Sequence, residues 1–291
     1  MSDFVKQNAS LVEFTTSDSW VVLSDIEMSI KKKIEAAGVP LKDWDIQINY
    51  GIKTGLNDAF IINEEKRNEI LSKCATTEEK ERTEQIIRPI LRGRDIERYG
   101  YNWKGLYLIN FHNGLPEKNL PALKIKDYPA IKKHLDNFLP QLTIRADQGD
   151  TPYNLRSCAY LDELNNPKIL YSEIVQDARF FFDENNKFLP EATVFSLTGK
   201  NLDYLYVCLN SSFYSWVFKT FYAGGGLGEH GYRYKKIFLQ KLPISQDVSH
   251  IEKLRNIIIN KRNEDILNEI FYNLYAFSSD EVAYIRRQIN K

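Results

Sequence analysis

Cysteine is scarce in this 291-residue chain: Cys74, Cys158 and Cys208 stand far apart and form no C-x-x-C pair. That spacing argues against a zinc site or a disulfide framework and fits a reducing, cytoplasmic setting. Long apolar runs are missing too. None reaches the roughly 20 residues needed to cross a bilayer, and the N-terminus carries no signal-peptide pattern, so no membrane partner is expected. Net charge is also lacking, with 39 Lys and Arg against 39 Asp and Glu. A large excess of one sign would mark a nucleic-acid or membrane binder; its absence counts against one unless the charges are segregated. They are segregated. Basic residues gather in 88–104, 118–133 and 219–241, and acidic ones in 64–84.

Recognisable catalytic motifs are absent. Gly226-Leu227-Gly228-Glu229-His230-Gly231 has G-x-G-x-x-G spacing, but a dinucleotide cradle needs a strand before it and a helix after it. Here an aromatic helical stretch precedes and Tyr232-Arg233-Tyr234-Lys235-Lys236 follows. A surface loop, or one letting backbone approach a phosphate chain, fits better. Asp58 with Glu64-Glu65-Lys66 imitates a magnesium-holding nuclease triad, yet Glu64 stands where a helix begins, and acids are favoured there by the helix dipole. The four histidines, His112, His134, His230 and His250, lack metal-ligand spacing. No catalytic residue and no metal site is assigned.

What is abundant is aromatic surface, with 17 Tyr and 16 Phe, and patterning that alternates between helix and strand. Ser24-x-x-Glu27 is a capping box opening a helix to Ala37. Residues 44–50 alternate like a strand, Gly51 to Asn57 is a glycine-bounded loop, and Ala59 to Ile62 returns as a second strand, reading as a hairpin. Residues 64–71 and 77–87 read as helices, the second ended by Pro89, and Asp127 is positioned to cap a helix over 128–138. Strands follow at 106–111, 169–175, 178–182 and 192–197. The Phe180-Phe181-Phe182 run reads as core and strand edge rather than a stacking platform. Helix returns over 201–222, broken near Asn210. Beyond 249 the chain is helical, with capping boxes at Ser249-x-x-Glu252 and Ser278-x-x-Glu281 and a stripe of Ile251, Leu254, Ile258, Ile266, Ile270 and Leu274. The expected fold is α+β: a mixed or antiparallel sheet domain over 1–245 with flanking helices, its first 40 residues a connector, and a helical segment over 246–291.

Several segments in order resemble the TaqI-like specificity domain of type IIG restriction-modification methyltransferases. They are Gly51-Ile52-Lys53-Thr54-Gly55-Leu56-Asn57-Asp58-Ala59-Phe60, then Pro89-Ile90-Leu91-Arg92-Gly93-Arg94-Asp95-Ile96-Glu97-Arg98-Tyr99. Leu142-Thr143-Ile144-Arg145 with Pro152-Tyr153-Asn154-Leu155-Arg156 comes next, followed by Leu209-Asn210-Ser211 and Leu274-Tyr275. The resemblance implies a target-recognition domain that reads double-stranded DNA for an adenine methyltransferase. Neither an Asn-Pro-Pro-Tyr motif nor a methyl-donor glycine motif is present. The methyltransferase is therefore expected in cis or as a separate subunit. S-adenosylmethionine, with magnesium as a second candidate, would belong to that catalytic part and not to this chain.

Readout requires phosphate contacts for register and base-edge contacts for sequence. Arg92, Arg94 and Arg98 are the first candidates, with Asp95 and Glu97 as internal partners expected to claim at least one of them. Lys53, Thr54 and Asn57 follow, although a glycine turn there also suits a hairpin. Arg145, Tyr153 and Arg156 share a polar loop. Tyr232, Arg233, Lys235 and Lys236 form a fourth group suited to backbone contacts. The rival readings are a protein-interaction module or separate specificity subunit of a phage-defence complex, and a small-molecule enzyme built on the Gly224–Gly231 loop.

Overall fold

The computed structural model describes residues 23–224, 232–247 and 264–290. The architecture is mixed α+β, with antiparallel and mixed sheets, flanking helices and a helical C-terminal segment. The chain divides into two compact units. One comprises residues 47–173 and 179–202; the other comprises the described residues of 1–46, 174–178 and 203–291.

The first unit is built on two four-stranded sheets. In one, the strand order is Phe180–Asp183, Lys168–Ser172, Val194–Gly199 and Ile46–Tyr50. Its antiparallel register sets Phe180 opposite Tyr171 and Tyr171 opposite Phe195. Aromatic rings therefore stack across the sheet at 5.1 and 5.3 Å, and Tyr50 continues the row 4.6 Å from Phe195. Phe180 is buried, and Phe181 and Phe182 after it are half-buried.

In the second sheet the order is Leu189–Pro190, Ile87–Leu91, Leu106–Ile109 and Ile61–Asn63. Pro89 ends the pairing with Leu106–Ile109, and Ile90 begins parallel pairing with Leu189. A residue without an N–H is tolerated at such a changeover. Ile62, Ile70, Ile90, Leu108, Ile131 and Leu135 lie in the core between this sheet and its helices.

Two local expectations change. The stretches before and after the Gly51 loop are not a hairpin. Ile46–Tyr50 lies beside Val194–Gly199, whereas Ile61–Asn63 pairs with Leu106–Ile109, and a short helix, Asn57–Phe60, takes up Ala59. Alternation identifies a strand but not its partner. Nor does Asp127 cap the helix Pro129–Leu135, which begins after Tyr128. Its first amides are served from elsewhere. Glu79, 4% exposed, accepts from Ala130 N at 3.0 Å and from Ala75 N at 2.9 Å.

The second unit is mainly helical. Asp25–Ala37 opens with the expected box, Glu27 accepting from the Ser24 amide at 2.8 Å. Leu202–Asn210 breaks as expected, and Ser211 starts Ser212–Val217 by accepting from Tyr214 N at 3.1 Å. The C-terminal helices Glu264–Leu274 and Ser279–Ile289 belong to this same unit. Phe271 stacks on Phe213 at 5.5 Å, and Glu281 meets Lys33 at 2.6 Å. The buried stripe is Leu267, Ile270 and Phe271, and Ile266 faces out, one position from the expected phase. The Ser249 box, Ile251, Leu254, Ile258 and Gly226–Gly231 lie outside the described residues.

Candidate nucleic-acid interface

Three polar loops of the first unit carry most of the sequence candidates. The first, residues 51–57, starts with a close approach. An added Cβ at Gly51 would stand 2.0 Å from the Glu191 carbonyl oxygen, so only glycine fits. Ile52 N then donates to Pro190 O at 2.8 Å. Thr54 is buried; its hydroxyl donates to Asn57 Oδ1 at 2.5 Å and accepts from Leu56 N at 3.2 Å. Lys53 and Asn57 are exposed.

Arg145 fixes this loop to the one at 145–156. It is only 6% exposed, its guanidinium lies 4.7 Å from the Phe60 ring centre, and it donates to four main-chain carbonyls. These are Asp147 at 2.9 Å, Pro152 at 3.1 Å, Thr54 and Asn154. Burial pulls its pKa down to about 10, leaving it charged at neutral pH. Thr54 and Arg145, expected from sequence to face DNA, are turned inward as braces. Tyr153 is also engaged, donating to Asp136 Oδ1 at 2.7 Å with Lys132 Nζ 5.7 Å from its ring centre. Arg156 is the outward member, its side chain 60% exposed and Nη1 3.1 Å from Asp147 Oδ1.

The third loop follows Ile87–Leu91. Arg92 grips Asp95 with both arms of its fork, Nε to Oδ2 and Nη2 to Oδ1 at 2.8 Å each. Asp95 is buried, which works to raise its pKa, but the hydrogen bonds from Arg92 outweigh burial and hold it below the usual carboxylate range. Arg92 is thus the internal arginine. Arg94 and Arg98 are exposed, and Arg98 lies 5.2 Å over the Tyr99 ring at a tight turn where Tyr99 has φ +63°. Gly93 N donates to Thr193 Oγ1 at 2.9 Å, and Thr193 in turn donates to Glu191 Oε2 at 2.5 Å. The 190–194 turn therefore supports both the Gly51 loop and the Gly93 loop. Sequence reading missed this turn as a support, because the polar residues after Pro190 mark a turn without indicating what rests on it.

The fourth group lies in the second unit. Tyr232–Arg233 pairs with Ile174–Val175, and Lys219 Nζ sits 5.0 Å over the Tyr232 ring. Arg233, Lys235 and Lys236 are half-buried, while Tyr234 between them stacks on Phe218 at 4.2 Å.

The profile of the TaqI-like C-terminal specificity domain matches residues 88–244. More than half of the chain is covered, and the chain belongs to this family. The match includes the Arg92–Arg98 and Arg145–Arg156 loops and the 232–236 group; the Gly51 loop lies outside it. Two solved structures share the fold. The type IIG restriction endonuclease BpuSI aligns at a TM-score of 0.56 and 15% identity over 91% of this chain and 32% of its own. The type IIL restriction-modification enzyme MmeI, solved in complex with DNA, aligns at 0.53 and 13% identity over 86% of this chain and 36% of its own. The chain thus spans about a third of the length of either enzyme. No curated protein matches it in sequence. No described helix is long and apolar enough to cross a membrane.

Proposed function

We propose that this chain recognises a short double-stranded DNA sequence as the specificity part of a type IIG restriction-modification enzyme that methylates adenine. The carrying observation is that exposed Lys53, Asn57, Arg94, Arg98 and Arg156 stand on loops fixed from beneath by the Arg145 brace, the Arg92–Asp95 pair and the 190–194 turn. Preorganised loops place side chains at base edges with little ordering cost on binding. Arg94 and Arg98 offer forks that match guanine O6 and N7, Asn57 can pair with adenine, and Lys53 and Arg156 suit phosphates. Tyr232, Arg233, Lys235 and Lys236 are suited to contacts with the DNA backbone. The companion methyltransferase, in cis or as a subunit, holds S-adenosylmethionine, and magnesium where cleavage also occurs.

The test is low-salt selection of the purified chain against a random duplex library, followed by sequencing. An enriched short motif, lost or relaxed in Arg94→Ala and Arg98→Ala, supports the reading. Capture of a protein partner by a folded chain with no DNA affinity overturns it in favour of an interaction module.

A further inference from the structure

Ile144 is the most exposed large hydrophobic residue among those described, at 84%. Lone surface isoleucines are common and usually need no explanation. This one differs in how rigidly it is presented. Leu142, two residues before it, is fully buried, and Arg145, immediately after it, is clamped to four carbonyls. The backbone between is closed as well, Ile144 N and Arg145 N both donating to Gln141 O at 3.3 and 3.1 Å. Thr143 before it and Ala146 two residues after it are small and exposed, so the isoleucine is the one bulky apolar side chain exposed on this stretch.

The same arginine that pins Ile144 also holds Thr54 O, which joins this loop to the one bearing Lys53 and Asn57. A second link runs the same way: a Cβ built on Gly55 would lie 3.1 Å from Asp147 Cβ. Arg156 pairs with Asp147 on this same loop at 3.1 Å. A β-branched side chain has few rotamers to lose, so a fixed backbone fixes the tip.

Resting on the DNA-recognition reading above, we propose that Ile144 reads DNA through an apolar contact with the 5-methyl group of a thymine in the major groove. That methyl group is the one apolar feature on the groove edge of a base pair, and it distinguishes thymine from the other three bases. A cationic or amide side chain at this position would find phosphates or hydrogen-bonding edges instead. An isoleucine held clear of its own fold has only the methyl group as a matching partner in that groove.

The experiment uses the 291-residue chain and the duplex it selects. Ile144→Ala is expected to weaken binding to that duplex about fivefold, and replacing one particular thymine by uracil to weaken wild-type binding about fourfold, as loss of one buried methyl group implies. In the Ile144→Ala chain the same uracil replacement should have no further effect, because the contact is already gone. Ile144→Val, which keeps the branch, should retain most of the discrimination. Equal binding of wild type and Ile144→Ala to a selected site, or uracil effects that persist unchanged in the variant, overturns the proposal and leaves DNA recognition standing. A wild-type chain that is folded and selects no duplex overturns both.

Discussion

At the scale of single residues, the protein spends its strongest donors inward. Arg145 offers its fork to four carbonyls from three separate stretches, and no shorter cation reproduces that pattern. Arg145→Lys should therefore destabilise the chain by about 3 kcal/mol, since hydrogen bonds from a charged donor are lost and buried carbonyls are left without partners. Urea unfolding measures this, and a loss below about 1 kcal/mol would show that the loops hold without the brace. Lys168 and Asp183 make a second such case. Both are almost completely buried and lie 3.2 Å apart, and Asp183 also accepts from the amides of Lys187 and Phe188 at 2.8 and 2.9 Å. Burial lowers the Lys168 pKa, with Asp183 opposing the shift. Asp183→Ala removes the counter-charge and both amide acceptors, so a loss of about 3–5 kcal/mol is expected. Lys168→Met in the same background should recover part of it, because the stranded charge is removed.

At the scale of elements, local chemistry was readable and long-range pairing was not. The boxes at Ser24 and Ser278 involve partners three residues apart, and both form. The break after Asn210 is equally local. The partners of Ile46–Tyr50 and Ile61–Asn63 lie far along the chain, and a false hairpin was the simplest reading of their alternation. The same limit applied to the site. Arg145 and Arg156 are alike in sequence context, but Arg145 is buried through a carbonyl 91 positions away, which no local pattern encodes. Asp95 beside Arg92 was close enough to be anticipated.

The closing capping box also joins two elements. Glu281 accepts from Ser278 N at 2.7 Å, Ser29 Oγ at 2.7 Å and Lys33 Nζ at 2.6 Å, tying the last helix to Asp25–Ala37. Burial works to raise its pKa, but these hydrogen bonds outweigh it and hold the carboxyl at about 2, against an ordinary 4.5. A carboxyl depressed on folding contributes stability that is complete above about 4.5 and is lost as pH falls toward about 2. The contribution is at most about 3 kcal/mol. Glu281→Gln should be less stable than wild type at pH 7, and the gap should close on acidification from pH 5 to pH 2. A gap that stays constant over that range would place the stabilising effect elsewhere.

At the scale of the whole molecule, 39 cations balance 39 anions, yet the balance is not uniform along the chain. Many cations are neutralised along helices, as Lys132 is by Asp136 at 2.6 Å, or Lys66 and Lys73, which share Glu69. Exposed pairs of this kind add little stability, but they remove those cations from long-range attraction to a polyanion. Lys53, Arg94, Arg98 and Arg156 are exposed on loops, and Arg156 must exchange Asp147 for a phosphate before it contributes. Counterion release at phosphates by Lys53, Arg156, Arg233, Lys235 and Lys236 gives a slope of log affinity against log salt of about −4 to −5, shallower than a strongly basic protein would show. Asp147→Asn should raise affinity for all duplexes, because Arg156 no longer has a competing carboxylate. Arg156→Ala should lower affinity without sequence preference and reduce the slope by about 1, whereas Arg94→Ala should relax the choice of sequence if its fork meets a guanine. A slope near zero with the selected duplex would mean that these cations do not face the DNA.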